Sequence, residues 1–500
     1  MNLRNIGYIL GCVIDVEGVF MLMPFICGLI YSESEAFSFV LVAVICFIVG
    51  TLLILLKPKK PSFSAREGIM TVALCWIVLS LFGAIPFVIN GDIPSYLNAL
   101  FETVSGFTTT GASILDDVEP LSHASLFWRN FTNWIGGMGV LVFLLAFLPL
   151  KGGTHMYLMK AESPGPSVEK FVPNVRGTAM ILYGIYVALS ALEFIFLLFG
   201  DIPLFDCICT VFGTAGTGGF AVRNASMAAY SAYVQWVVAV FMMLFGVNFS
   251  VYFLLLMRKV KQSVLYEEIR WYFGIIVVSC VIIVINCFDN ALSLADNIRN
   301  AFFQVTAVIS STGFSTVDFN LWHSAGKTVL VLVMFVGACA GSTGGGIKVS
   351  RIVIMAKTIK KELLYYAHPK SVRKIKFCGK VVEHEVIRTI NVFFITYVLI
   401  YAFSLLIISF DDASFETNFT AVVATLNNIG PGLGQVGPTG NFNFFSPLSK
   451  IVLMFNMLAG RLELYPLLLV FSLKSWKEGV TDAANGAITR FHHSGKSQAQ

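Results

Sequence analysis

Four phrases in this chain carry residue types that can replace the hydration shell of a cation: Thr108-Thr109-Thr110-Gly111-Ala112, Gly216-Thr217-Gly218-Gly219-Phe220, Ser310-Ser311-Thr312-Gly313-Phe314 and Asn427-Asn428-Ile429-Gly430-Pro431. A ring of backbone carbonyls supplies oxygen ligands without placing a fixed charge in the ion's path. A central glycine allows backbone angles that turn successive carbonyls toward one axis at little steric cost. No phrase contains an acidic side chain or a histidine, which argues against divalent carboxylate rings and metal-ligand sites and for a monovalent ion, potassium first. The candidate ion-binding residues are Thr109, Thr110, Gly111, Thr217, Gly218, Gly219, Ser311, Thr312, Gly313, Asn428, Ile429 and Gly430.

Backbone of this kind has too few helical partners for lipid, so it must be buried in protein or line a watery cavity. The surrounding chain fits a bilayer: 56% of its 500 residues are hydrophobic, 13% are charged and the mean hydropathy is +0.78. That composition describes a polytopic membrane protein. Runs long enough to cross as helix fall at about 8–31, 37–56, 69–91, 123–150, 176–199, 230–257, 272–290, 323–337 continuing to about 358, 384–410 and 447–473, ten in all. Between them, 95–111, 204–219, 296–313 and 414–430 are moderately apolar and too short to cross, as suits re-entrant pore helices. Each would aim the partial negative charge of its C-terminus at the cavity, favouring a cation over an anion.

The four central glycines lie 108, 94 and 117 residues apart, each in the same frame of helix, acidic turn, short helix, glycine, helix. The turns Asn90-Gly91-Asp92-Ile93-Pro94 and Phe199-Gly200-Asp201-Ile202-Pro203 are near duplicates, and Phe288-Asp289 and Phe410-Asp411 hold the same place later. Self-similarity at this scale predicts four copies of one unit around one pore. The expected organisation is an N-terminal two-helix region at 1–65, repeats at 66–165, 166–265, 266–380 and 381–480, and a tail at 481–500.

Basic residues set the orientation. Lys57, Lys59, Lys60 and Arg66 follow the second span, Arg258, Lys259, Lys261 and Arg270 the sixth, and 348–388 is rich in Lys and Arg. The positive-inside rule places these in the cytoplasm with both termini. The loops near the glycine phrases instead carry Asp116, Asp117, Glu119, Asp201, Asp289, Asp411 and Asp412, so they enter from outside. The net charge of +5 is concentrated in the basic loops and speaks for orientation rather than nucleic acid. Ten cysteines are scattered without C-x-x-C spacing and read as small buried hydrophobes. The first apolar run lacks the pattern of a cleaved signal.

Two further features are singular. Gly341, Ser342, Thr343, Gly344, Gly345 and Gly346, followed by Lys348, should break the eighth span at mid-membrane, since glycine costs helix about 1 kcal/mol relative to alanine; the alternative is a glycine-rich packing seam. Arg461 lies about 14 residues into the last span, roughly 21 Å deep, and such an arginine should face a polar cavity or pair with an acidic residue such as Glu193. Glu463, two residues on, would not share its helix face. Asp15, Glu17 and Glu193 are also charged at membrane depth and receive no assigned role.

The four phrases, together with Asn133-Trp134-Ile135-Gly136-Gly137-Met138-Gly139-Val140 and Gly337-Ala338-Cys339-Ala340-Gly341-Ser342-Thr343-Gly344-Gly345-Gly346-Ile347-Lys348, resemble the TrkH/KtrB superfamily of potassium-uptake proteins. The resemblance covers about 1–480 and is closer to TrkH, because KtrB-like proteins generally lack the two leading helices. It implies an all-α integral membrane protein with about ten transmembrane helices. Four helix–pore-loop–helix repeats would surround one pore, preceded by two extra N-terminal helices. It further implies that Gly341–Gly346 form an obstructing loop that moves on gating, with Lys348 at its cytoplasmic edge, and that Arg461 is an electrostatic barrier in the path. Potassium would be the transported ion, with no cofactor and no enzymatic activity. The protein would lie in the inner membrane as a homodimer with a cytosolic TrkA-type nucleotide-binding subunit. The basic segment 357–380 suits such docking, or contact with anionic membrane lipid. Each phrase shares only its central glycine with the T-V-G-Y-G filter of potassium channels, so fewer ordered ion sites and weaker discrimination are expected. The competing reading is a secondary transporter with broken helices that bind a small solute. It predicts inverted repeats, whereas these four run in one orientation. Neither H-E-x-x-H nor G-x-S-x-G occurs.

Overall fold

The computed structural model describes residues 3–55, 65–139, 175–369 and 373–472. The predicted tail at 481–500, the end of the fourth span at 140–150 and Lys57, Lys59 and Lys60 lie outside them. Almost all regular structure is helical, with a small two-stranded hairpin in which Lys376–Phe377 pairs antiparallel with Lys380–Val381.

Two helices, Leu3–Ile30 and Ala36–Ile54, form an antiparallel pair that packs on the first repeat. Glu17 is buried with its carboxylate toward Gly83, and Asp15 faces Gly50. Both charges therefore look into the pair and its repeat rather than into lipid. Each repeat then has an outer helix, a short helix and an inner helix. The outer helices are Ala65–Gly83 with its continuation Ile85–Ile89, Val175–Leu197, Glu267–Asn286 and His384–Ile408. The short helices are Tyr96–Phe107, Leu204–Gly216, Leu294–Ile309 and Phe415–Leu426.

Among the described residues six helices are long and apolar enough to cross a bilayer unbroken: the N-terminal pair and the four outer helices. The other four predicted spans are the inner helices. His123–Met138 reaches Gly139, where the described residues stop. The sixth span is expected to be continuous but bends by 91° between Ala232–Phe245 and Phe249–Leu256. Asn248 causes the restart, its side chain accepting the amide of Ser250 at 2.8 Å as an N-cap. The eighth breaks after Ser324–Val336 and resumes as Val349–Ala367, as its glycines require. The tenth, also expected to be continuous, stops at Arg461 and resumes as Tyr465–Phe471, with Glu463 and Leu464 in left-handed backbone before Pro466.

The units close on themselves. Each inner helix packs against the short helix of the next repeat: His123–Met138 on Leu204–Gly216, Ala232–Phe245 on Leu294–Ile309, Ser324–Val336 on Phe415–Leu426, and Pro447–Arg461 back on Tyr96–Phe107. Outer loops repeat the circuit. Asn224 Oδ1 accepts from Val118 N at 3.0 Å, Met227 N donates to Ser315 O at 3.0 Å, Asn320 exchanges two bonds with Gly434, and Phe442 N donates to Ser113 O at 2.8 Å.

Candidate functional site

Every short helix ends in the same way. Its last carbonyls are satisfied by a 6→1 bond, from Thr110 N to Ser105 O (2.8 Å), Gly218 N to Gly213 O (2.9 Å), Thr312 N to Ala307 O (2.8 Å) and Ile429 N to Ala424 O (2.9 Å). This termination needs a left-handed residue, and Thr109, Thr217, Ser311 and Asn428 occupy it with φ of 54–60°. Two positions on, Gly111, Gly219, Gly313 and Gly430 are also at positive φ, from 66° to 92°.

These four glycines meet. A Cβ on Gly111 would stand 2.0 Å from Gly218 O, one on Gly219 1.9 Å from Thr312 O, one on Gly313 1.9 Å from Ile429 O, and one on Gly430 2.8 Å from Thr110 O. The carbonyl just before each central glycine thus abuts the glycine of the preceding repeat, in the order 1, 2, 3, 4 and back to 1. A cup of about 170 Å³ lies over the ring and touches all four glycines, with Asp116 and Asn441 on its wall. The twelve residues singled out from sequence as ion ligands are brought together at this ring, and the eight others lie beneath it or against that lower layer.

The ring is fourfold in backbone but alternates in side chains. Thr108 and Thr110 share a 2.8 Å hydroxyl bond, and Ser310 and Thr312 share one of 2.7 Å. The second and fourth loops have Gly218 and Ile429 at the matching place. Asn428 Nδ2 instead donates to Thr110 Oγ1 and Met457 O, both at 2.9 Å.

Several supports were not singled out from sequence. Glu102 and Arg129 form a buried ion pair at 2.6 Å. Glu102 also takes the amide of Ile114 (2.9 Å) and the hydroxyl of Ser113, while Arg129 donates to Ala221 O (3.0 Å) and stacks 3.7 Å over Phe220. The pair ties the first loop to the second. With its amide oriented for best bonding, Asn133 donates to Gly106 O at 2.8 Å and accepts from Phe220 N at 3.2 Å. The signal was available in part: a charge within each of two elements flanking one glycine phrase.

Below the ring lies the chain 337–348. Gly345 N donates to Ser311 Oγ at 2.5 Å, and a Cβ on Gly345 would meet Asn427 O at 2.4 Å. Lys348 is buried and its Nζ turns back to Gly344 O, so it closes the loop on itself. Arg461, at the end of its helix, donates to Thr343 O (2.6 Å), Gly136 O (2.5 Å) and Gly137 O (2.7 Å), and its guanidinium lies 5.8 Å from Trp76. Three carbonyls thus hold the charge at the foot of the ring. Glu463 pairs with Arg351, which also donates to Ile347 O at 3.2 Å and sits 4.1 Å over Phe393. The expectation about Glu463 assumed a continuous helix; the break at Leu462–Leu464 is what turns its side chain toward Arg351. Glu193 is buried beside the second short helix. In the basic segment, Lys357 is engaged by Glu267 and Lys376 O. Among the described residues no group of three or more His, Cys, Asp or Glu side chains is arranged to hold a metal ion.

Among the described residues, six unbroken apolar helices and four inner helices set around one closed ring of backbone define a multi-pass membrane protein with fourfold internal repetition. Residues 35–478 match the family TrkH, described as cation transport protein. The chain belongs to the TrkH family. It is 36% identical over 488 residues to the Trk system potassium uptake protein TrkH of Escherichia coli (strain K12), covering 96% of this chain and 100% of that one. It is 35% identical over 489 residues to the protein of the same name from Salmonella typhimurium, with coverage of 96% and 100%. The crystal structure of the potassium transporter TrkH from Vibrio parahaemolyticus superposes with a TM-score of 0.83 at 30% identity, covering 95% of this chain and all of that one.

Proposed function

We propose that this protein takes up potassium across the cytoplasmic membrane through the glycine ring, which acts as its selectivity filter. The observation that carries this reading is the cyclic contact of the four central glycines with the next loop's carbonyl, which brings four segments of bare backbone together beneath one cup. Backbone oxygen without a carboxylate suits a monovalent cation. The relatives named as potassium-uptake proteins support the choice of ion.

The ion ligands are Thr109 to Gly111, Thr217 to Gly219, Ser311 to Gly313 and Asn428 to Gly430, entering from outside with both termini cytoplasmic. The chain from Gly341 to Gly346, with Lys348 and Arg461, is the gate: it lies under the ring, and Arg461 places a positive charge against it. The protein works as a homodimer with one filter in each copy. A cytosolic TrkA-type nucleotide-binding subunit acts on the basic cytoplasmic segments.

Potassium and sodium flux into liposomes carrying the purified protein tests this, with Gly313→Ser alongside. Potassium-favouring flux in the parent and loss of that preference in the variant is the expected result. No cation flux from folded protein, with the cytosolic subunit added, would overturn it in favour of a solute transporter whose broken helices bind substrate.

A further inference from the structure

Residues 337–348 leave the helical path, so their amides need partners elsewhere. Two of the critical ones end on a single atom. Glu268, in the first turn of the outer helix Glu267–Asn286, is 1% exposed, and its Oε1 accepts the amide of Ala340 at 2.7 Å and that of Ser350 at 3.1 Å. These amides stand ten residues apart on opposite sides of the glycine run, so one carboxylate oxygen draws the loop's entry and exit together. Ser350 is also in the first turn of Val349–Ala367, where a negative charge is favoured by the helix dipole.

The other oxygen extends the junction. Oε2 lies 3.5 Å from Asn248 Nδ2, the residue that restarts the bent inner helix of the second repeat. That bend returns two main-chain bonds to the loop, from Cys339 N to Gly246 O and from Phe249 N to Gly341 O, both 3.0 Å. One buried carboxylate therefore joins the bend, the loop and the helix that leads to the basic cytoplasmic segment.

We infer that Glu268 latches the loop beneath the ring, and that Val349–Ala367 must draw Ser350 off this carboxylate before the loop can leave. The inference rests on the reading of the loop as the gate. Glu268 is a positioning residue, since the ion path itself is lined by other groups.

The test compares Glu268→Gln and Glu268→Asp with the parent in liposomes, without a cytosolic partner. It reads basal potassium flux, the potassium-to-sodium ratio, and the rate at which the buried thiol of Cys339 is alkylated, located by mass spectrometry. Basal flux and Cys339 labelling both rise about tenfold, the factor expected for losing one charge-assisted hydrogen bond, while the ion ratio stays at the parental value. Unchanged labelling, whether flux is unchanged or reduced, overturns the latch and leaves Glu268 a stabilising residue only. Faster labelling in proteins that conduct no cation at all keeps the latch and overturns the pore reading. Should Glu268→Gln fail to fold, Glu268→Asp decides alone, because it keeps the charge and shortens only its reach.

Discussion

The ring and the loop beneath it are made of the same material, glycine and small hydroxyl residues, yet they are held in opposite ways. Every segment of the ring has its own 6→1 termination and abuts the next segment, so the same bond set occurs four times and closes. The loop occurs once. It is suspended from other elements: the side chains of Ser311 above, Arg461 beside it and Glu268 at its ends, and the main chain of the bent second-repeat helix. A closed set of mutual contacts resists displacement because no member moves without its neighbours. A suspended segment opens when one tether is lost, at the low-stability end of the molecule's fluctuations.

The largest effect expected is at the ring. In Gly219→Ala a Cβ would stand 1.9 Å from Thr312 O while the backbone holds φ at 66°. Both faults fall on rigid backbone, so potassium selectivity in liposome flux is lost, by about tenfold or more. An alanine accepted here with normal selectivity would break the contrast, because the ring would then be as compliant as the loop.

Next in size is the support of the ring. Arg129→Met leaves Glu102 buried without its cation, a loss of about 3–5 kcal/mol, seen as a lower midpoint of thermal unfolding in detergent. Glu102→Gln combined with Arg129→Met recovers part of it. The loop layer should register little of this change, so potassium flux per folded molecule falls through the ring and basal leak does not rise. A rise in leak with no loss of stability would mean that Glu102 and Arg129 serve the loop instead.

Removing a tether of the loop should do the reverse. Arg461→Ala deletes the donor to Thr343, Gly136 and Gly137 together with a positive charge under the ring. Basal flux rises about tenfold, about 1.4 kcal/mol in barrier height, with the potassium-to-sodium ratio unchanged. Unchanged or reduced flux at normal expression would count against Arg461 as the barrier.

The same contrast explains what the sequence discloses. Repeated features were legible because repetition is a signal: the four glycine phrases, the short segments before them and the acidic turns before those, two of which read Gly-Asp-Ile-Pro, all mark elements that the structure contains. The break at Gly337–Lys348 was legible from glycine density alone. The bends at Gly246–Asn248 and Leu462–Leu464 were not, because each turns on one or two residues, the Asn248 cap and the positive φ of Glu463 and Leu464 before Pro466, inside runs otherwise long enough to cross. Arg461 was likewise placed inside a helix when it ends one, whereas Glu463, expected to be a poor partner for it, pairs with Arg351. Glu102 and Arg129 lie in one repeat on either side of its glycine phrase, and local pattern carries no record that these two charges will meet.

The smallest effect probes the alternation within the ring. Thr110 Oγ1 has two partners, Thr108 Oγ1 and Asn428 Nδ2, whereas the hydroxyl of Thr312 meets Ser310 Oγ. Thr110→Val and Thr312→Val keep the shape and the carbonyl of each residue, so each removes only hydroxyl bonding, at about 1 kcal/mol per bond. Thr110→Val also strands a buried amide hydrogen of Asn428, which links the first loop to the fourth and to Met457 O. The potassium-to-sodium ratio should therefore fall further in Thr110→Val than in Thr312→Val, and both should change less than Gly219→Ala. Equal ratios in the two valine variants would show that the backbone closure alone sets the ring, leaving the alternating hydroxyls no part in holding it.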